Sequence, residues 1–283
     1  MTFSSLRLLK FSIVAFAATL AWNTSSVLAE SKSPFITVAS TTSTESSGLF
    51  AWLLPKFQAR TGIQVRVVAV GTGAAIRHAR KGDADVLLVH HLQSERKFVA
   101  DGFGVHRHAL MWNDFVLIGP ENDPAGVRGM TDITAALTAI HNSKSLFVSR
   151  GDDSGTHKKE MQLWQAASLE PQKQSGTWYR EIGAGMGAAL NMATAQGAYV
   201  ISDRGTWLRY QKSGGLAVLS EGDKRLVNPY GVILVNKDRH PHVKSAAGQK
   251  FIDWLMSAEG QSAIGNYRID GKVLFRPGGV PGA

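Results

Sequence analysis

Cysteine is absent from all 283 residues. That excludes a disulfide framework, thiolate metal sites and a lipid anchor on an amino-terminal cysteine, so stability has to come from an ordinary core. Long hydrophobic runs are missing too. The apolar stretch from Phe11 to Trp22 covers about 12 residues, no later one is long enough, and a helix needs roughly 20 to cross a hydrocarbon core. Arg7 and Lys10 precede the stretch, and small and polar residues follow it, ending Val27-Leu28-Ala29. This is the order of a secretory signal, so residues 1–29 are expected to be cleaved after Ala29 and to leave a soluble periplasmic protein. Acidic residues are few, 22 against 31 lysines and arginines, for a formal charge of +9. The excess favours anionic partners. It is scattered singly among the acids, with no arginine-rich run and no recognition-helix pattern, so nucleic acid is not an expected partner. A scattered excess can instead raise the on-rate of a small anion.

From Phe35 onward, strand-like and helix-like segments alternate. Ile36 to Ala39, Val65 to Val70 and Val86 to Val89 are short β-branched runs. Between them we expect a helix over Ser47 to Arg60, kinked at Pro55 and stopped by Gly62, and a second over Ala74 to Lys81, stopped by Gly82. The order β-α-β-α-β predicts an open α/β fold with a mainly parallel sheet flanked by helices. Phe115 to Gly119 continues as strand, and Leu146 to Ser149 and Ala198 to Ser202 read as strands of a second lobe. The run Gly231 to Val235 and a helix over Val243 to Met256 return the chain to the first. Lobe one is therefore expected over residues 30–116 and 229–283 and lobe two over 117–228, joined by a two-strand hinge with the binding cleft between them.

Ligands in open α/β sheets bind beyond the carboxyl ends of strands. Three such loops carry hydrogen-bond donors. Ser40-Thr41-Thr42-Ser43-Thr44 follows a strand and precedes a helix, so Thr41, Thr42, Ser43 and Thr44 could turn hydroxyls toward a negative ligand, or simply cap the helix. Gly71-Thr72-Gly73 repeats the arrangement, with Thr72 and Gly73 as candidates and a tight turn as the plain alternative; it lacks the lysine of a phosphate loop. The third is Arg150-Gly151-Asp152-Asp153-Ser154-Gly155-Thr156-His157. Here Arg150 supplies a permanent charge, and Ser154, the Gly155 amide and Thr156 complete a donor set suited to a desolvated dianion. The competing account is a capped helix with an ion pair from Arg150 to Asp152 or Asp153.

Arg-x-x-x-Ser-Gly-Thr at this junction resembles the phosphate-binding proteins of ABC importers. The remaining motifs are Ser40 to Thr44 with Ser47-Gly48-Leu49, Gly71-Thr72-Gly73, Gly82-Asp83-Ala84-Asp85, Asn113-Asp114-Phe115, Gly185-Met186-Gly187, Ser202-Asp203-Arg204-Gly205-Thr206 and Asn228-Pro229-Tyr230-Gly231. Together they resemble the tungstate-binding periplasmic proteins, over essentially the whole mature chain. Ser40 stands where that family's hydroxyl motif usually begins with threonine, and no polar residue follows Gly187. The resemblance implies a two-lobed type II periplasmic binding protein, monomeric and without a cofactor. It would hold tungstate in the interlobe cleft and deliver it to the permease of an ABC transporter in the inner membrane. Molybdate and phosphate are the alternative ligands. The implied ligand set is the one named above, with His90, Met186 and Asp203 as an outer candidate set. Phosphate carries a proton at neutral pH and requires an acceptor. His90 falls where phosphate-binding relatives have that acceptor aspartate, and a doubly protonated histidine cannot accept.

Other polar residues suggest further readings. His90-His91, His240 and His242, or His157 with Glu160, could begin a metal site, but none forms a recognised ligand set, so no metal is expected. A secreted phosphatase-like enzyme would use Ser154 as nucleophile and His157 as base. Three residues apart at a helix start they are poorly placed for a triad, and no Gly-x-Ser-x-Gly surrounds Ser154, so no enzymatic activity is expected. Trp164, Trp178, Trp207 and Trp254 are expected in the core rather than in a ligand platform.

Overall fold

The computed structural model describes residues 34–210 and 214–280; the expected signal and its cleavage site lie outside the described residues. β1 (Phe35–Thr41) runs parallel to β2 (Gln64–Val70) on one side and to β3 (Val86–Val89) on the other. All four residues of β3 are buried, as a strand covered on both faces requires. Two helices link β1 and β2 instead of the single expected one. A short turn, α1 (Thr42–Ser46), is followed by α2 (Leu49–Thr61). The break is Gly48, at φ 79, where a Cβ would run into the Arg209 guanidinium and lie 2.7 Å from the Tyr267 hydroxyl. Helix α3 (Thr72–Lys81) links β2 to β3 and begins two residues earlier than the sequence suggests; α2 and α3 stop at Gly62 and Gly82 as expected.

After α4 (Leu92–Ala100) comes β4 (Gly104–Pro120), of 17 residues, and then α5 (Ile133–Ser143), β5 (Phe147–Ser149) and α6 (Gly155–Ala166). The chain continues through β6 (Tyr179–Glu181), α7 (Met186–Gln196), β7 (Tyr199–Asp203), α8 (Arg204–Tyr210) and β8 (Leu216–Ser220). β9 (Val227–Val235), α9 (Ser245–Met256) and α10 (Ala258–Gly265) follow, and then three two-residue strands, β10 (Arg268–Ile269), β11 (Lys272–Val273) and β12 (Arg276–Pro277), the last pairing with β4. The strand order is β2-β1-β3-β9-β4-β7-β5-β6, with β8 also paired to β4. β4 belongs to both halves of this sheet. It pairs with β9 as far as Asp114 and with β7 from Phe115. The kernels β2-β1-β3 and β7-β5-β6 are parallel, and antiparallel pairing enters where β4, β8 and β9 join them. β4 and β9 carry the chain across in opposite senses, which makes their mutual pairing antiparallel.

Side-chain alternation along the strands divides the core by face. Val86 and Leu88 of β3 pack with Ile36, Phe57, Val232 and Phe251, whereas Leu87 and Val89 pack with Ala75, Phe98 and Ile233. Beyond the crossing, Phe115 and Leu117 join Phe147, Trp164 and Tyr199, while Val116 and Ile118 join Leu190, Val200 and Trp207. Trp164, Trp178, Trp207 and Trp254 are all buried in these layers, as their apolar surroundings in the sequence suggest. The fold is α/β, with helices on both faces of one large sheet. Among the described residues, no helix is long and apolar enough to cross a membrane.

Candidate functional site

The carboxyl ends of β1, β2, β3 and β5 bring their loops to one place. In the first, Thr41 caps α1, its hydroxyl accepting from the Thr44 amide at 3.3 Å while lying 2.7 Å from Thr44 Oγ1 and 3.1 Å from Ser43 Oγ. Ser43 Oγ lies 3.0 Å from His90 Nε2, and His90 Nδ1 lies 3.0 Å from Asn228 Oδ1. Asn228 in turn donates to Asn113 Oδ1 at 2.7 Å, which fixes its amide and leaves its oxygen facing the imidazole. The His90 Nδ1 therefore carries the proton, and Nε2 accepts from the Ser43 hydroxyl. Burial pushes the His90 pKa down to about 4; the Asn228 bond opposes this and the neighbouring Arg150 charge adds to it. With its pKa lowered by burial, His90 presents one ring N–H and one lone pair, and the lone pair faces Ser43.

The opposite wall is the start of α6. Arg150 is buried and donates from Nε and Nη2 to Asp152 at 3.1 and 2.5 Å. Asp152 also accepts from the Ser154 amide at 3.2 Å. Ser154 caps α6 by accepting from the His157 amide at 3.1 Å, which leaves its own proton free to be donated. The capped helix and ion pair that competed with a donor set in the sequence are thus both present, and they order the same residues that could serve as donors. One turn on, Glu160 is buried and accepts from Ser149, Tyr179 and Trp164 at 2.9, 2.8 and 3.2 Å. Burial raises its pKa to about 8 against the pull of those bonds.

These walls touch. A Cβ added to Gly155 would lie 2.9 Å from Thr72 Oγ1 and 2.8 Å from His90 Cε1, and one added to Gly73 would run into the Asp153 carboxylate. Thr72 and Thr156 are both buried, and neither hydroxyl has a hydrogen-bond partner among the described residues. A buried hydroxyl left unpaired costs about 1–3 kcal/mol. Two of them beside a buried arginine and two helix starts form a donor set without an acceptor.

The remaining candidates sit further out. Thr42 is exposed and, with Ser43, Met186 and Thr206, lines a separate pocket of about 410 Å³. Asp203 is buried and accepts from the Thr206 amide and hydroxyl at 2.9 and 2.7 Å; burial raises its pKa, while those bonds and the Arg150 charge lower it. His240 and His242 bond the carbonyls of Arg80 and Gly82, each at 2.9 Å, and Glu160 faces away from His157 into its own buried network. Among the described residues, no three histidine or acidic side chains gather as metal ligands. Ser154 meets the His157 backbone amide, and the His157 ring instead accepts from the Asp153 amide at 3.3 Å, so the two do not form a nucleophile and base. Sequence reasoning quoted Asn113, Asn228 and Tyr230 within motifs but gave them no role. The signal was a polar residue inside an apolar strand pattern.

Residues 28–259 match the family described as PBP superfamily domain. The tungstate-binding protein TupA of Peptoclostridium acidaminophilum is 46% identical over 246 residues, which span 86% of this chain and 85% of that protein. The structure of the tungstate-binding protein TupA from Desulfovibrio alaskensis superposes with a TM-score of 0.77 at 45% identity, covering 87% of this chain and 100% of that one. That of the tungstate ABC transporter from Geobacter sulfurreducens gives 0.76 at 44% identity, covering 82% and 98%.

Proposed function

The chain belongs to the PBP superfamily, on the branch of the TupA tungstate-binding proteins, and on that basis we propose that it captures tungstate in the periplasm and delivers it to an ABC importer. It acts as a monomeric carrier and not as an enzyme. The observation that carries the reading is the pair of buried, unpartnered hydroxyls, Thr72 and Thr156, at the two helix starts that meet at Gly155. Tungstate at neutral pH is a bare dianion with acceptors on every side, so it suits a site made of donors. Thr41, Thr44, Thr72 and the Gly73 amide would supply one side, and Arg150, Ser154, the Gly155 amide and Thr156 the other, with the Ser43 proton engaged by His90. Hydrogen phosphate would bring a proton that needs an acceptor. The acceptors nearby already have partners: the His90 lone pair faces Ser43, Asp203 accepts from Thr206, Asp152 from Arg150 and the Ser154 amide, and Asp153 from Lys158.

Lobe one takes residues 30–116 and 229–283, and lobe two takes residues 117–228. A ligand bonded to both favours the closed arrangement by its differential affinity, and the closed shape is what the permease reads. Titration calorimetry of the anion-stripped protein with tungstate, molybdate, sulfate and phosphate tests this. Tungstate binding at one site per chain with phosphate and sulfate silent is the expected result, and the tungstate to molybdate ratio then gives the finer preference. Phosphate binding most tightly would overturn the donor-only site, and silence from all four would overturn the carrier.

A further inference from the structure

Charge at the proposed site does not balance a dianion. Arg150 is its buried cation, and Asp152 already pairs with it; Arg77, beside Gly73, stands 3.9 Å from the Asp153 carboxylate. Asp203 adds a buried carboxyl group and His90 is neutral. An oxyanion with two charges, taken out of water there, requires further positive charge nearby. A candidate stands one turn along α6. The Lys159 ammonium donates to the backbone carbonyls of Arg225 at 3.0 Å and Val227 at 3.2 Å, and lies 5.9 Å from the centre of the Phe115 ring. Those contacts hold it against both strands that cross between the halves of the sheet, so its charge is fixed in position. Lys159 also lines a cavity of about 720 Å³ whose wall includes His90 and Gly155, the residues that touch across the donor set. Lys224 and His91 line the same cavity, together with Trp112, and no carboxylate does.

We propose that this cavity is the path by which the oxyanion reaches the donor set, and that Lys159, assisted by Lys224, is the charge that steers it in. This deepens the carrier reading and rests on it. A cleft walled by one sign of charge and by low-dielectric side chains focuses the field and raises the local concentration of a counter-ion. The pocket on the other side, beside Thr42 and Met186, has Arg209 as its cation. That guanidinium donates to the Ser47 carbonyl at 3.1 Å and to the Tyr267 hydroxyl at 2.8 Å, and neither His90 nor Gly155 lines this pocket.

The test is stopped-flow association of tungstate with the full mature chain, read by tryptophan fluorescence over a series of ionic strengths. K159M should lower the association rate constant by about 5- to 10-fold at low salt and flatten its dependence on ionic strength. K159R should restore that dependence. K224M should act in the same direction but more weakly; because Lys224 is exposed, it carries the test if K159M does not fold. K81M removes the same charge at the far end of α3, about 15 Å along the helix from Thr72, and should behave as wild type. Wild-type association rates and salt slopes in both K159M and K224M would overturn the path, and so would R209M being the variant that flattens the slope. A wild-type chain that binds none of the four oxyanions would overturn the carrier reading as well, which separates the two failures.

Discussion

The two helix starts that face each other across the site are built in opposite ways. At α6 the charged groups and the cap are bonded internally: Asp152 holds Arg150 and the Ser154 amide, and Ser154 holds the His157 amide, while the Thr156 hydroxyl is left without a partner among the described residues. At α3 the cap is Gly71, which contributes no side-chain bond, and the Thr72 hydroxyl is buried without a partner. The difference separates two tasks. A charged donor with several rotatable bonds has to be fixed beforehand, or ordering it would weaken every binding event. A neutral hydroxyl on a short side chain needs no such support and can wait unpaired, its desolvation already incurred in the folded chain.

Removing the charged side of that pair should have the largest effect. R150A is expected to weaken tungstate binding by at least about 100-fold, the scale of losing one partner of a buried hydrogen-bonded charge pair, with an unfolding temperature close to wild type. Calorimetry and thermal denaturation read the two quantities. R150A/D152N should recover part of the loss, because the unpaired Asp152 carboxylate no longer opposes the anion. Affinity for R150A within about threefold of wild type would mean that the preordered side does not hold the ligand.

The two unpaired hydroxyls, one at each helix start, should respond with opposite signs in two measurements. T72V and T156V each replace a buried unpaired hydroxyl by a methyl group, so the ligand-free protein should gain about 1 kcal/mol of stability while tungstate affinity falls about tenfold. Denaturation with and without tungstate measures both. Loss of stability in the ligand-free variants would show that those hydroxyls are satisfied in the free protein. The smallest effect on affinity belongs to E160Q, which alters the support behind α6 and not the donors. Burial raises the Glu160 pKa from 4.5 to about 8, so the folded chain holds a proton that the unfolded chain releases, and stability falls as pH rises through that window. Glutamine cannot ionise, so the stability profile of E160Q should be flatter than that of wild type between those limits. Parallel profiles would place the titration elsewhere.

Most of the first three strands was legible in the sequence because each is short and rich in β-branched residues, and the helices between them end at Gly62 and Gly82. β4 was legible only in its last third. Residues 104 to 114 include His106, Arg107, His108, Asn113 and Asp114, which break the apolar pattern because this stretch is partly exposed before the strand changes neighbours. β6 has three residues, too few for any periodicity to register. At the site, the hydroxyl and arginine loops could be read because their residue types belong to one chemistry. The ionisation of His90 could not, because it is set first by burial, and its tautomer by Asn228, 138 positions away in the chain. Thr42 and Thr44 read alike in the sequence, yet helical geometry turns Thr44 inward and leaves Thr42 exposed.

Gly155 sets a mechanical tolerance. With its Cβ position less than 3 Å from both Thr72 Oγ1 and His90 Cε1, the gap between the two walls is narrower than one methyl group. Any side chain at this position, even the single methyl of alanine, would wedge the α3 and α6 loops apart and move Thr72 and His90 away from the start of α6.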